Sequence, residues 1–291
     1  MISIVTVTYN SAKVIEDFIA SLSAQNFTDF EVLFIDNASS DDTVEIINRH
    51  PDPRFTIVAN HQNLGFTAGC NQGIRHALDH GRSSVLLVNN DTTFLPDLLE
   101  HLVLGLSKAP VTVPKMLYYS PANRIWTAGG RFLRYNGFRS AHTGLDETDN
   151  GQYDSPANIS FAPMCCMLIK TEVFESIGLL DEAIFAYCED TDFCIRLGKA
   201  NLAIRYIPDA VIYHKVSSLT GGTQSDFYVK NAAFGKAYVL TKHGNLLERW
   251  FWGKIYQVFY AINRLRGRLT ANQWQLARRE HARGLNAGAK A

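Results

Sequence analysis

The sequence predicts an α/β fold: a mostly parallel central sheet flanked by helices, followed by a C-terminal helical appendage. Three observations carry this. Short β-branched runs alternate with helix-period segments through the first half. The 291 residues, 46% of them apolar, suffice for one sizeable core with an extension. Basic side chains gather at the end, nine against two acidic ones in 246–291, although Lys plus Arg and Asp plus Glu total 28 each over the chain. The body is correspondingly acidic, so an anionic partner is expected for the tail alone, and no nucleic-acid partner is expected.

Taken in order, 2–7 predicts a strand, 11–25 a helix and 30–35 a strand. Asp42 and Glu45 stand at capping-box spacing before a helix to about residue 49, and 55–59 forms a third strand. A helix over 67–80 and a strand over 84–88 follow. Such alternation requires crossover connections and parallel strands, with ligands gathered where strands end. Residues 1–110 thus form a Rossmann-like nucleotide half. From 111 to about 161 the turn signals Gly129-Gly130, Asn136-Gly137 and Asn150-Gly151 separate short aromatic stretches, which predicts an irregular hairpin region. Regularity returns with a strand at 165–169, helices at 171–177 and 189–200 and a strand at 203–207. Residues 111–240 read as the acceptor-binding and catalytic half of the same domain, 241–291 as an amphipathic basic helical segment, and the small-residue end from Gly284 is expected to fray.

The five cysteines, Cys70, Cys165, Cys166, Cys188 and Cys194, are odd in number, lack CxxC spacing and sit in apolar runs. They predict core thiols in a reduced, cytoplasmic chain and argue against structural zinc. The N-terminus enters a strand with no basic segment before it, so no signal peptide is expected. No apolar run reaches eighteen residues, so no membrane span is expected.

Four strand-end or helix-start clusters carry chemistry: Thr8-Tyr9-Asn10, Asp36, Asn89-Asn90-Asp91 and Glu189-Asp190-Thr191-Asp192. The first strand is followed by no GxGxxG and no glycine-rich basic loop, which argues against a dinucleotide site and a nucleotidylyltransferase. A strand-end carboxylate can hold a divalent cation against a diphosphate, and a second carboxylate can take a proton from an incoming hydroxyl. Together these describe sugar transfer from a nucleotide.

An ordered series then runs along the chain: Val5-Thr6-Val7-Thr8-Tyr9-Asn10, Ile35-Asp36-Asn37-Ala38-Ser39-Ser40-Asp41-Asp42-Thr43, Asn63-Leu64-Gly65-Phe66-Thr67-Ala68-Gly69-Cys70-Asn71 and Asn89-Asn90-Asp91. It continues with Gly178-Leu179-Leu180-Asp181-Glu182, Tyr187-Cys188-Glu189-Asp190-Thr191-Asp192-Phe193-Cys194-Ile195-Arg196 and His214-Lys215-Val216-Ser217-Ser218. Over about residues 1–240 the chain resembles family 2 glycosyltransferases, and within them bacterial rhamnosyltransferases that build cell-surface polysaccharide. The resemblance implies a GT-A fold, a nucleotide-sugar donor, Mg²⁺ or Mn²⁺, and inversion at the anomeric carbon.

On that resemblance Asp36 contacts the base, where its carboxylate can accept a uracil or thymine imide N–H. Thr8, Tyr9 and Asn10 flank the base or form a plain turn. Asp41 and Asp42 read as turn and cap residues. Asn63 and Gly65 lead into a helix whose amides approach ribose or diphosphate, with Asn71 facing the same cleft one turn on; glycine as simple loop geometry is the alternative. Asn89 replaces the first acid of the common DxD and supplies only hydrogen bonds, so with Asn90 it is assigned to the nucleotide sugar. Asp91 carries the cation, and His214 matches the family histidine that completes the metal shell, against a structural imidazole bonded to backbone.

Asp190, second acid of the Glu-Asp pair, is the family's base, with Glu189 and Trp126 on the acceptor side. The alternative is an acidic first helical turn that favours the helix dipole, and Asp192 belongs there. Lys230 stands where similar chains have an arginine for the diphosphate, without its two-pronged geometry. Residues 220–225 read as a closing loop or a solvated one. Leu247, Phe251, Ile255, Val258, Ile262 and Leu265 form an apolar helical stripe with basic residues just after it. The stripe suits peripheral membrane contact through 246–285 on the inner face of the cytoplasmic membrane, where a lipid-linked acceptor is presented, or packing on the catalytic domain or in a homodimer. The reading is an inverting transferase of rhamnose from dTDP-rhamnose to a saccharide or lipid-linked acceptor. A UDP-sugar donor is the near rival, and a noncatalytic carbohydrate-binding or scaffold relative the distant one, disfavoured by joint retention of Asp91, Asp190 and His214.

Overall fold

The computed structural model describes residues 1–133, 136–216, 221–222 and 224–291. Ser217 and Ser218 of the histidine motif, and Thr220 and Thr223 of the 220–225 loop, lie outside the described residues.

Strands β1 (Ile2–Thr8), β2 (Phe30–Asp36), β3 (Phe55–Ala59) and β4 (Ser84–Val88) lie parallel in the order β4-β1-β2-β3. Helices α1 (Ile15–Ser23), α2 (Thr43–Asn48) and α3 (Phe66–Asp79) make the crossovers. Alternation along each strand sends Ile4, Val32, Phe34 and Leu86 to the face covered by Phe18, Ile19 and Leu22 of α1. Val5, Leu33, Ile35 and Leu87 point the other way, onto Cys70, Ile74 and Ala77 of α3. The sheet therefore carries a core on each face, as a parallel sheet must.

Beyond β4 the sheet becomes mixed. A short β5 (Thr92–Phe94) and α4 (Leu98–Gly105) precede β6 (Val111–Tyr118), β7 (Ile125–Thr127) and a separate two-stranded hairpin of β8 (Gly130–Leu133) and β9 (Arg139–His142). Then come β10 (Ala157–Ile159), β11 (Cys166–Lys170), α5 (Thr171–Ile177), α6 (Glu189–Lys199) and β12 (Ile204–His214). Strand β11 inserts antiparallel between β4 and β6, and β12 runs parallel to β6. The sequence pattern hides β6 because Pro114 and Lys115 interrupt its apolar run. Lys115 is buried, its ammonium held by Asp149 at 3.0 Å and Asp154 at 2.5 Å.

Three helices close the chain: α7 (Asp226–His243), α8 (Leu246–Leu265) and α9 (Ala271–Gly288). The small-residue end is not frayed, since α9 continues through Gly288. Gly284 and Gly288 lie so close to α7 that a Cβ at either would strike the carbonyls of Phe234 and Tyr238. The Asp42–Glu45 capping box does not form. Asp41 accepts instead from the Thr43 amide at 3.1 Å and hydroxyl at 2.5 Å, a local turn that outcompetes the cap. The first helix starts at Ile15 because the Ser11 carbonyl is spent on a turn to Val14 and Ile15.

Candidate active site

The C-terminal ends of β1, β2 and β4 meet at one edge. There the buried Asp36 carboxylate accepts from Thr8 Oγ1 at 2.9 Å, Ser39 Oγ at 2.6 Å and the Ser39 amide at 3.0 Å. Asn10 has positive φ and accepts the Ser40 amide at 2.8 Å, while Tyr9 stays exposed beside it. Thr8, Tyr9, Asn10 and Asp36 are thus together, as a bonded floor in which Thr8, Asp36 and Asn10 already hold protein partners and the Tyr9 ring is exposed.

Gly65 and Asn71 differ from expectation. Gly65 sits at φ +90° because a Cβ there would lie 2.7 Å from Phe185, so its freedom serves a packing contact. The helix-start amides are also engaged: Gly65 N–H donates to Asn63 Oδ1 at 2.9 Å and Phe66 N–H to the Phe185 carbonyl at 2.9 Å. Asn71 is buried, donating to the Leu180 carbonyl at 2.8 Å and Glu182 Oε1 at 2.9 Å and accepting from the Leu180 amide at 3.0 Å. It staples α3 to the 178–182 segment instead of facing the cleft. A one-dimensional motif cannot separate a glycine that admits a ligand from one that admits a neighbouring ring.

Asn89-Asn90-Asp91 forms the turn between β4 and β5. The Asn89 amide donates to the Cys165 carbonyl at 2.9 Å, and its own carbonyl accepts Thr92 Oγ1 at 2.7 Å. Asn90 is buried and ties the turn to β1 through the Val7 carbonyl at 2.7 Å. Pairing of Thr92 with His214 across β5 and β12 then sets Asp91 Oδ1 3.1 Å from His214 Nε2, both groups buried. Trp126 packs against the His214 imidazole in a T-shaped contact at a centroid distance of 4.5 Å and also contacts the His142 ring at 5.4 Å. Nothing in the sequence pointed to His142, a lone histidine in a turn-rich stretch, whose Nδ1 is buried without a partner. A hard carboxylate beside an imidazole fits Mg²⁺ or Mn²⁺ chemically. Among the described residues no third His, Cys, Asp or Glu joins them, so diphosphate oxygens and water would have to complete any shell.

Helix α6 opens on Glu189 after two successive residues at positive φ, Tyr187 and Cys188. Left-handed backbone in non-glycine residues is costly and persists where the surroundings demand it. Gly235 on α7 makes room, since a Cβ there would lie 2.5 Å from the Tyr187 carbonyl. Glu189 is buried with Oε2 unpartnered, and burial plus the adjacent Asp190 charge pushes its carboxyl up. Burial also raises Asp190, to about 6, against the pull of hydrogen bonds from the Thr191 amide at 2.6 Å and hydroxyl at 3.1 Å.

Asp192 behaves oppositely. Burial alone would raise it, but His243 at 2.8 Å, Arg196 at 2.8 Å and Lys242 at 2.9 Å hold it well below the usual carboxylate range. It is a structural hub between α6 and α7, held by side chains and not only by the helix dipole.

Two contacts locate α6 relative to the Asn-Asn-Asp turn. Cys194 Sγ donates to the Ala162 carbonyl at 3.7 Å, and three residues on, the Cys165 carbonyl holds Asn89. The helix that opens on Glu189 and Asp190 and the turn that carries Asp91 therefore both bond to the 162–165 lead-in to β11. Tyr228 of α7 packs edge-on to Tyr187 at 5.0 Å, so α7 borders the approach to α6. Lys230 is exposed one step further, and no ion pair links it to the site carboxylates among the described residues.

This fold, with paired acids at the strand ends, is that of GT-A glycosyltransferases. It superposes on the crystal structure of GalNAc-T7 with UDP, GalNAc and Mn²⁺ with a TM-score of 0.68 and 14% identity, over 88% of this chain and 50% of that one. The mannosyltransferase PcManGT of Pyrobaculum calidifontis, in complex with GDP-Man and Mn²⁺, gives 0.58 and 18% over 100% of this chain and 75% of that one. The chain belongs to glycosyl transferase family 2, whose model matches residues 3–178. Among its relatives, the low-salt glycan biosynthesis hexosyltransferase Agl10 of Haloferax volcanii is 28% identical, over 70% of this chain and 63% of its own length. The N-acetylglucosaminyl-diphospho-decaprenol L-rhamnosyltransferase of Mycobacterium tuberculosis is 27% identical, over 76% and 78%. The dTDP-rhamnosyl transferase RfbF of Shigella flexneri is 25% identical, over 73% and 68%. The chain spans just under two thirds of the length of Agl10, and the region matched by the family model is a glycosyltransferase domain. No helix among the described residues is long and apolar enough to cross a membrane.

Proposed function

We propose that the protein is an inverting, cation-assisted rhamnosyltransferase that moves rhamnose from dTDP-rhamnose to a saccharide or lipid-linked acceptor in cell-surface polysaccharide synthesis. One observation supports the mechanism: Asp91, paired with His214, lies on a turn, and Asp190 on a helix, that both bond to the 162–165 lead-in to β11, with burial raising Asp190 to about 6. The choice of rhamnose is supported by relatives named for that sugar.

Asp91 and His214 would hold the cation, which when bound offsets charge developing on the diphosphate leaving group. Trp126 keeps the imidazole oriented and offers a half-buried ring on the acceptor side. The exposed Tyr9 ring covers the base, above the Thr8–Asp36 floor. Asp190 takes the proton of the acceptor hydroxyl as that oxygen attacks the anomeric carbon and the bond to the diphosphate breaks. Glu189, buried and raised further than Asp190, stays protonated at neutral pH, so the pair carries a single charge, on the base.

Thermal-shift measurements with Mn²⁺ and a panel of dTDP, UDP and GDP test the donor. Stabilisation by dTDP above the others is expected. Preference for UDP would move the donor to a UDP-sugar, and indifference to all three would remove the transferase reading of this site.

A further inference from the structure

Helix α8 carries an apolar stripe that faces away from the protein. Leu247, Phe251, Ile255, Val258, Ile262 and Leu265 recur every three or four residues, and all are exposed, Leu247 by 79% and Leu265 by 86%. Trp250 and Phe259 are exposed on its flanks. The opposite face is the packed one. Gly253, Tyr260 and Asn263 are buried, Trp252 lies against Gly137, and Tyr256 Oη donates to the Gly137 carbonyl at 3.2 Å. A capping box between Asn245 and Glu248 fixes the helix start. The stripe is therefore presented on a held helix of about 30 Å, and patches of such extent mark interaction surfaces.

The charges around it choose the occupant. Lys254, Arg264, Arg266 and Arg268 are exposed beside or just past the stripe, and the one acidic residue of α8, Glu248, is engaged in the cap. A second copy seated on the stripe would meet the same basic rim with no acid to answer it. Aromatic and leucine side chains leading to a cationic C-terminal end match an anionic lipid surface, with the helix lying in the headgroup plane. We propose that α8 docks the protein on an anionic lipid bilayer, leaving the catalytic domain above the headgroups.

The test is co-sedimentation of the full chain with vesicles of phosphatidylcholine containing phosphatidylglycerol, and with vesicles of phosphatidylcholine alone. It needs neither nucleotide nor acceptor, so its outcome is separate from the reading of the active site. Binding to the anionic vesicles is expected, about ten-fold weaker without phosphatidylglycerol. The double variant Leu247→Glu/Val258→Glu should lose it by about ten-fold or more, with an unchanged circular dichroism spectrum. Arg264→Glu/Arg266→Glu should weaken only the phosphatidylglycerol-dependent part. Failure to bind either vesicle, or binding that the glutamates leave intact, would overturn the proposal. So would a dimer in solution that the glutamates convert to monomer without any vesicle binding, which would make the stripe a seam between copies.

Discussion

His214 Nε2 lies 3.1 Å from Asp91 Oδ1, although the two residues stand far apart in the sequence. Strand pairing between β5 and β12 creates the contact. Asp91→Asn and His214→Ala should each abolish Mn²⁺-dependent stabilisation by the nucleotide and lower the transfer rate on the order of 10²-fold. Calorimetric titration of nucleotide with and without Mn²⁺ checks this. Cation-dependent affinity that survives in both variants would place the metal elsewhere.

Asp190→Asn should leave nucleotide affinity intact and reduce kcat by roughly 10²- to 10⁴-fold, as loss of a general base does. In the parent enzyme kcat/KM should rise with pH through about 6, where Asp190 sheds its proton, and the variant should lose that limb. A variant that keeps the same acid limb would assign the titration to another group.

Glu189 contributes a stability slope of its own. Its folded pKa is pushed up from 4.5 to about 8 by burial and by Asp190, so over that interval the native state holds a proton that the unfolded chain releases. Stability is consequently lost as pH rises. Glu189→Gln should match the parent near pH 5 and exceed its Tm above pH 8, by on the order of 2–4 °C per kcal/mol recovered. Equal Tm values at both pH values would show that the carboxyl is solvated.

Asp192 should prove structural. Asp192→Ala leaves Arg196, Lys242 and His243 without their shared carboxylate, and truncating one member of a buried ionic cluster costs about 3 kcal/mol or more. Denaturant unfolding of the variant measures it. A loss below ~1 kcal/mol would mean that the cluster is as weak as a surface pair.

His281 is buried between the rings of Tyr256 and Tyr260, with both ring nitrogens unpartnered, and burial lowers it from 6.5 to about 4. Between those values the unfolded chain takes up a proton that the native state refuses, so stability falls as pH drops. His281→Phe should flatten that fall and raise stability at pH 5. Thermal unfolding at pH 5 and 7 checks it, and a variant less stable at both would point to bound water satisfying the imidazole.

Much of this was legible in one dimension. Strands β1, β2 and β4 announce themselves because both faces are buried and their residues are mostly apolar, and the edge strand β3 by its short apolar run. Asp91, Asp190 and His214 draw attention in the sequence because they follow a strand, open a helix and end a strand respectively. Elements β5, β6, α4, α7 and α9 were not legible as such. The buried Lys115 reads as a polar break until Asp149 and Asp154 are seen beside it, and the glycines of α9 read as a loose end until α7 lies against them.

Hydrophobic period, turn residues and charge distribution are properties of neighbours along the chain, so they specify the α/β class, the alternating strands and helices of the first hundred residues and the amphipathic tail without reference to anything distant. Partnership across the chain is not local. That Gly65 yields to Phe185, that Asn71 is consumed by Leu180 and Glu182, and that the α8 stripe turns outward while Tyr256 and Tyr260 turn in, all follow from which surfaces meet once the sheet closes. A helix shows the same apolar stripe whether that stripe is buried or bare, and only its packed opposite face tells the two apart.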